Sequence, residues 1–157
     1  MATTSIFLPD EQATIRAGAA LAGVCEEGAV VWLNGALGAG KTTLSRGWLQ
    51  ELGHSGAVKS PTYTIVEPYA LPCGEVYHFD LYRVSDPEEL ELLGIREYFT
   101  AMYLCLIEWP EKAEGLLPAP DLSITLSLVQ SGGREMKISA HSERAIGWLA
   151  IPGLSPC

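Results

Sequence analysis

Gly35-Ala36-Leu37-Gly38-Ala39-Gly40-Lys41-Thr42 satisfies the phosphate-binding pattern GxxxxGK[ST] at every fixed position. The pattern carries weight only when a strand delivers the chain to it and a helix leaves it. Ala29-Val30-Val31-Trp32-Leu33, just before it, is the short apolar, β-branched run of a buried strand. Just after it, Leu44, Trp48, Leu49 and Leu52 recur at helical spacing up to a stop at Gly53. The stretch therefore predicts strand, phosphate loop and helix, and with them an α/β fold that holds a nucleotide.

Each residue type suits that chemistry. Glycines 35, 38 and 40 let the backbone turn tightly and bring its N–H groups to a polyphosphate, here Gly38, Ala39 and Gly40. The helix opening near Lys41 aims its positive end at the same anion. Lys41 supplies a point charge for the outer phosphates, and Thr42 a hydroxyl for magnesium, which keeps water and phosphate oxygens as its other ligands. Thr43 is either a hydrogen-bond donor to an inner phosphate or an ordinary first-turn residue.

The chain of 157 residues is long enough for one domain with a sizeable core, and 1–157 is read as a single unit whose last residues, 152–157, fray. Its net charge of −9, with basic residues scattered, disfavours direct nucleic-acid binding; any RNA would be held by a partner. Cysteines 25, 73, 105 and 157 form no CxxC pair, no signal peptide precedes Pro9, and no stretch has membrane-spanning length, so a cytoplasmic location is expected.

Ile6-Phe7-Leu8 reads as an edge strand and Asp10 as the cap of a helix that ends before Gly28. Glu11, in its first turn, complements the helix dipole. Pro61 keeps Ser60 out of helical geometry, so Ser60-Pro61-Thr62 forms a stiff loop with two hydroxyls, placed where a γ-phosphate sensor would lie. A strand from Ile65 to Tyr69 follows. A second runs from Glu75 to near Asp80, and a carboxylate at that end of an open α/β sheet faces the ligand crevice. Asp80 thus positions water or magnesium, or it caps the turn and pairs with Arg83. His78 reads as a packed strand residue rather than a metal ligand.

Asp86-Pro87-Glu88-Glu89 has the cap, first-position proline and trailing acid of a helix start. Acids 88, 89 and 91 are a solvated face or a docking ledge. Tyr103-Leu104-Cys105-Leu106-Ile107-Glu108 is a buried strand that delivers Glu108 to a magnesium site, with Trp109 either in the core or walling that site. After a linker at 118–120, strands 122–129 and 135–140 flank a hairpin turn at Ser131-Gly132-Gly133, and a last helix spans roughly 142–150.

With 35–43, Ser60-Pro61-Thr62-Tyr63, His78-Phe79-Asp80-Leu81-Tyr82-Arg83, Asp86-Pro87-Glu88-Glu89-Leu90 and Ile107-Glu108-Trp109-Pro110 in this order, the chain resembles the TsaE (YjeE) family over nearly its whole length. The resemblance implies a P-loop nucleoside-triphosphatase-like three-layer fold, with a central parallel sheet flanked by antiparallel edge strands. It further implies a cytoplasmic, Mg2+-dependent ATPase that works with TsaD and TsaB in making N6-threonylcarbamoyladenosine at tRNA position 37, with tRNA met through the complex. By the same resemblance, Gly38 to Thr43 bind the ATP phosphates, Thr42 and Glu108 hold magnesium, and Lys41, Asp80 and Glu108 serve hydrolysis. Thr62 and Trp109 stand near the nucleotide, and Glu11 and Arg134 flank it. Ala36 departs from the acid or asparagine usual there, which bears on the rate of hydrolysis and not on backbone phosphate binding.

No arginine is obviously poised as a finger, so hydrolysis by the chain alone is expected to be slow and to be completed by partners. A small-molecule kinase would need basic residues closing over the phosphates, whereas Arg83, Arg96, Arg134 and Arg144 are dispersed. A GTPase would commonly carry Asn-Lys-x-Asp, and the single asparagine is Asn34. A non-catalytic switch with ATP as its ligand is the remaining class.

Overall fold

Strand β2 (Ala29–Asn34) leads into the phosphate loop and is covered on both faces, and its composition explains why. Ala29, Val31 and Leu33 pack into one apolar cluster and Val30 into another on the opposite face. A strand covered on both sides reads as a continuous apolar run rather than an alternating one. In the computed structural model, which describes residues 2–61 and 63–151, β2 lies at the middle of a seven-stranded sheet.

The other strands are β1 (Thr3–Leu8), β3 (Val66–Leu71), β4 (Gly74–Asp80), β5 (Leu104–Glu108), β6 (Leu122–Leu128) and β7 (Arg134–Ala140). Their order is β1-β7-β6-β2-β5-β4-β3. The four central strands β6, β2, β5 and β4 run parallel, while β1, β7 and β3 pair antiparallel with their neighbours. Helices α1 (Glu11–Val24) and α2 (Lys41–Glu51) cover one face. The short α3 (Glu88–Leu93) and a 3-10 turn at Ile95–Phe99 cover the other through Leu90 and Ile95. This is the three-layer arrangement with antiparallel edges that the resemblance implies.

Local signals act as the sequence indicates at most element ends. Asp10 Oδ1 accepts the Ala13 N–H at 2.8 Å and caps α1. Before α3, Asp86 accepts the Glu88 N–H at 2.9 Å while Glu89 reaches back to the N–H groups of Ser85 and Asp86, a reciprocal capping box. Several boundaries differ from expectation, β4, β6 and β7 by a residue each. The edge strand begins at Thr3, because β7 pairs with it back to Ser139. Ile65 does not begin β3: its φ of 70° is incompatible with a strand, and its N–H closes a turn onto Pro61 O at 2.8 Å. The last helix is one turn, α4 (Glu143–Ile146), followed by a 3-10 turn at Gly147–Leu149. Ser142, at the N-cap, makes no side-chain capping bond and instead donates its hydroxyl to Asp121 at 2.6 Å, which with Arg144 ties the segment to the start of β2 through the Val30 N–H. Residues 152–157 lie outside the described residues.

Helices α1 and α2 touch backbone to backbone where Gly18 meets the Leu44 carbonyl and Gly47 meets that of Ile15. An exposed helical Gly→Ala change gains about 1 kcal/mol of propensity. At Gly47 a Cβ would overlap the Ile15 carbonyl oxygen, so Gly47→Ala is expected to lower stability by about 1–3 kcal/mol, as overpacking does. Gly23, with open space around its Cβ position, is the control. Thermal unfolding should show Gly47→Ala melting below the parent and Gly23→Ala at or above it.

Candidate active site

The parallel strands deliver their carboxyl ends to one crevice. In the sheet register Glu108 at the end of β5 lies beside Leu33 of β2 on one side and Asp80 of β4 on the other. Paired residues point to the same face, and here it is the face covered by α1 and α2, where Leu106 and Val76 also point. The N-terminus of α2 opens onto these two acids. Gly40, in a left-handed conformation with φ 110°, makes the turn from the loop into the helix, a geometry that a residue with a Cβ adopts only under strain.

A cleft of about 450 Å³ results, lined by Gly38, Gly40, Lys41, Thr42 and Thr43 from the loop and helix start, and by Ser60, Asp80, Tyr82, Arg83, Glu108, Trp109 and Arg134 across from them. Lys41, 5% exposed, donates from Nζ to the Gly35 carbonyl at 2.5 Å and lies 3.7 Å from the centre of the Trp109 ring. Burial pushes its ammonium below the usual lysine value, and the nearby carboxylates of Glu108, Asp80 and Glu111 pull it back up. Thr42 Oγ1 donates to Glu108 Oε2 at 3.4 Å. Asp80 accepts the Ser60 hydroxyl on one oxygen and the Tyr82 N–H at 3.0 Å on the other, so it caps its own turn while facing the cleft. Arg83 lies over the Tyr63 ring, 4.8 Å from its centre.

Trp109 lines the cleft and also packs against the apolar cluster that contains Phe79 and Ile107. The residue has φ 59°, and its ring packs on Lys41 and at 5.0 Å from Tyr82. Arg134 presses on the loop: its Nε is 3.3 Å from where a Cβ on Gly40 would sit, and that Nε has no hydrogen-bond partner among the described residues. Ala39 is buried beneath the cleft and turns the loop through its N–H to Ala36 O at 3.1 Å, so Ala36 contributes its carbonyl. Glu11 is not among the lining residues; it pairs with Arg46 at 2.6 Å on the exposed side of α1. Thr62 lies outside the described residues.

Two features escape a reading of the sequence. Ser60 reaches Asp80, twenty positions away. His78, fully buried, has its Nε2 at 2.6 Å from Glu108 Oε2. The available signal was the two-residue spacing from His78 to Asp80, which puts them on one face of β4; the partner on β5 depends on a register that the sequence does not carry.

The donor set suits a hard divalent cation. A hydroxyl and a carboxylate stand side by side next to the anion-binding loop, and among the described residues no three His, Cys, Asp or Glu side chains converge into an all-protein metal cage. Magnesium is held in just this way in phosphate sites, by one or two protein oxygens plus water and phosphate. Thr42 and Glu108 are the residues that would hold it.

A lysine at the start of a helix, meeting acids from two neighbouring parallel strands under the same helical layer, is the organisation of a P-loop nucleoside-triphosphatase-like protein. A family model described as "Threonylcarbamoyl adenosine biosynthesis protein TsaE" matches residues 8–136. Over 131 residues the chain is 50% identical to the tRNA threonylcarbamoyladenosine biosynthesis protein TsaE of Haemophilus influenzae, covering 80% of this chain and 83% of that one. The protein of that name in Bacillus subtilis is 39% identical over 123 residues, with coverages of 78% and 77%. The crystal structure of YdiB from Bacillus subtilis aligns with a TM-score of 0.80 at 29% identity, over 95% of this chain and 93% of that one. The chain belongs to the TsaE family. Among the described residues no helix is long and apolar enough to cross a membrane.

Proposed function

We propose that the protein binds and hydrolyses ATP with Mg2+ in the biosynthesis of N6-threonylcarbamoyladenosine at tRNA position 37, acting with TsaD and TsaB and meeting tRNA through that complex. The pathway rests on the family. The reaction rests on one observation: Lys41 and Thr42 open α2 directly opposite Glu108 and Asp80. The backbone N–H groups from Gly38 to Thr43 and the positive end of α2 bind the phosphates. Lys41 exchanges the Gly35 carbonyl for an outer phosphate oxygen, and Arg134, packed on Gly40, flanks the nucleotide. Magnesium, when bound, neutralises charge between phosphate oxygens. Asp80, fixed by Ser60 and the Tyr82 N–H, positions the attacking water, and Trp109 closes the wall and keeps bulk water off Lys41.

Phosphoryl transfer depends on positioning and charge neutralisation. Lys41, Arg83 and Arg134 line the cleft, with Arg83 packed over the Tyr63 ring and Arg134 against Gly40, and in this reading partners complete the positioning. Phosphate release from ATP should therefore be slow for the protein alone and rise at least about tenfold when TsaD, TsaB and tRNA are added, a conservative threshold beside the roughly 10³–10⁵-fold that a supplied cation contributes in related chemistry. Equal rates with and without partners would overturn the partner-completed reading. Nucleotide binding without release under either condition would overturn hydrolysis.

A further inference from the structure

We propose that His78 is a positioning residue for Glu108: its imidazole ties down one carboxylate oxygen so that the other is presented to the cleft. This rests on the reading of Glu108 as the magnesium-binding carboxylate. His78 lies opposite Leu106 in the β4–β5 register, two residues before Asp80, so its ring shares the face on which Glu108 projects. Both groups are buried, at 0% and 3% exposure, and Nε2 stands 2.6 Å from Glu108 Oε2. An ionised carboxylate only accepts hydrogen bonds, so Nε2 carries the proton and donates.

The geometry separates the two oxygens of Glu108. Oε2 receives both His78 and the Thr42 hydroxyl, whereas Oε1 has no hydrogen-bond partner among the described residues and keeps its lone pairs for a ligand. The opposite ring nitrogen, Nδ1, is buried with no hydrogen-bond partner among the described residues. The hydrogen bond that the His78 ring makes among the described residues is the one from Nε2 to Glu108. Hydrogen-bonded partners behind metal-binding groups commonly change metal affinity or activity by about 10–100-fold.

Glutamine places its amide donor near the position of Nε2, and asparagine near that of Nδ1. The test measures Mn2+ binding by electron paramagnetic resonance at saturating ADP for the parent, His78→Asn, His78→Gln and Glu108→Gln, with ADP affinity in EDTA and melting temperature alongside. His78→Asn should weaken Mn2+ binding by about 10–100-fold, with His78→Gln restoring it to within about threefold and ADP affinity in EDTA unchanged. If Glu108→Gln binds Mn2+ like the parent, the magnesium reading of Glu108 fails. If Glu108→Gln weakens it while His78→Asn does not, or if both His78 variants weaken it equally, the positioning role fails and the magnesium reading stands. Should His78→Asn not fold, the imidazole nitrogen resonances of the unmodified protein decide: a proton on Nε2 is expected, and a bare Nε2 overturns the proposal.

Discussion

Glu108→Ala is expected to lower the partner-stimulated release of phosphate from ATP by roughly 10²–10³-fold, the usual loss when one preorganised electrostatic group is removed from a reacting centre. Glu108 ends β5 as the only acid of that strand, buried to 3%, and its carboxylate is shared by Thr42 and His78. Truncation removes the negative charge that would hold magnesium and leaves the His78 Nε2–H without an acceptor. A buried donor left unpaired costs about 1–3 kcal/mol of stability, so the melting temperature should fall together with activity. Glu108→Gln separates the two effects, because it retains the volume and an acceptor for His78 but not the charge. The expected pattern is a large loss of phosphate release in both variants, a drop in melting temperature in the alanine variant, and ADP affinity in EDTA unchanged in both. Phosphate release near the parent rate in Glu108→Gln would remove the carboxylate charge from the mechanism.

How far a sequence exposes such a site depends on whether the determinants are local. The phosphate loop is local, since its glycines, Lys41 and Thr42 fix backbone and side chains within eight positions. Glu108 and Asp80 were legible because strand ends in an α/β sheet face the crevice, so an acid there needs no knowledge of the neighbouring strand. What the pattern leaves hidden are relations between distant segments. The pairing of His78 with Glu108 needs the β4–β5 register, and the close crossing at Gly18 and Gly47 needs the angle between two helices. The placement of Trp109 lies between these cases. Pro110 disfavours the right-handed helical region for the residue before it and by itself would favour extended geometry. The fold selects φ 59°, which turns the ring onto Lys41. A left-handed tryptophan carries strain that the surrounding contacts must offset, and such strain concentrates at functional sites. Glu11 shows the reverse. Its first-turn position announced a helix end, and its observed partner is Arg46.

The largest loss of nucleotide affinity is expected from Lys41→Met, and its stability should move the other way. Methionine nearly matches the length of the lysine stem and cannot neutralise a phosphate, but it also escapes the desolvation cost that the buried ammonium bears here. A hydrogen-bonded charge lost from a binding site costs about 2–5 kcal/mol, so ADP should bind at least about 30-fold more weakly. In the free protein the same ammonium is buried, and burial lowers its pKa below the usual lysine value of 10.5 despite Glu108, Asp80 and Glu111. The folded state therefore binds this proton less readily than the unfolded chain. Stability rises as pH climbs through the lowered folded value towards 10.5, and below that window the charged lysine is a net cost. The Gly35 carbonyl and the Trp109 ring return part of that cost through the hydrogen bond and the cation–π contact. Lys41→Met should melt at or above the parent at neutral pH, and the alkaline gain in stability should shrink. Calorimetric titration with ADP and thermal unfolding at neutral and alkaline pH measure both halves. A variant that binds ADP like the parent, or that melts well below it, would mean that Lys41 serves the fold rather than the phosphate.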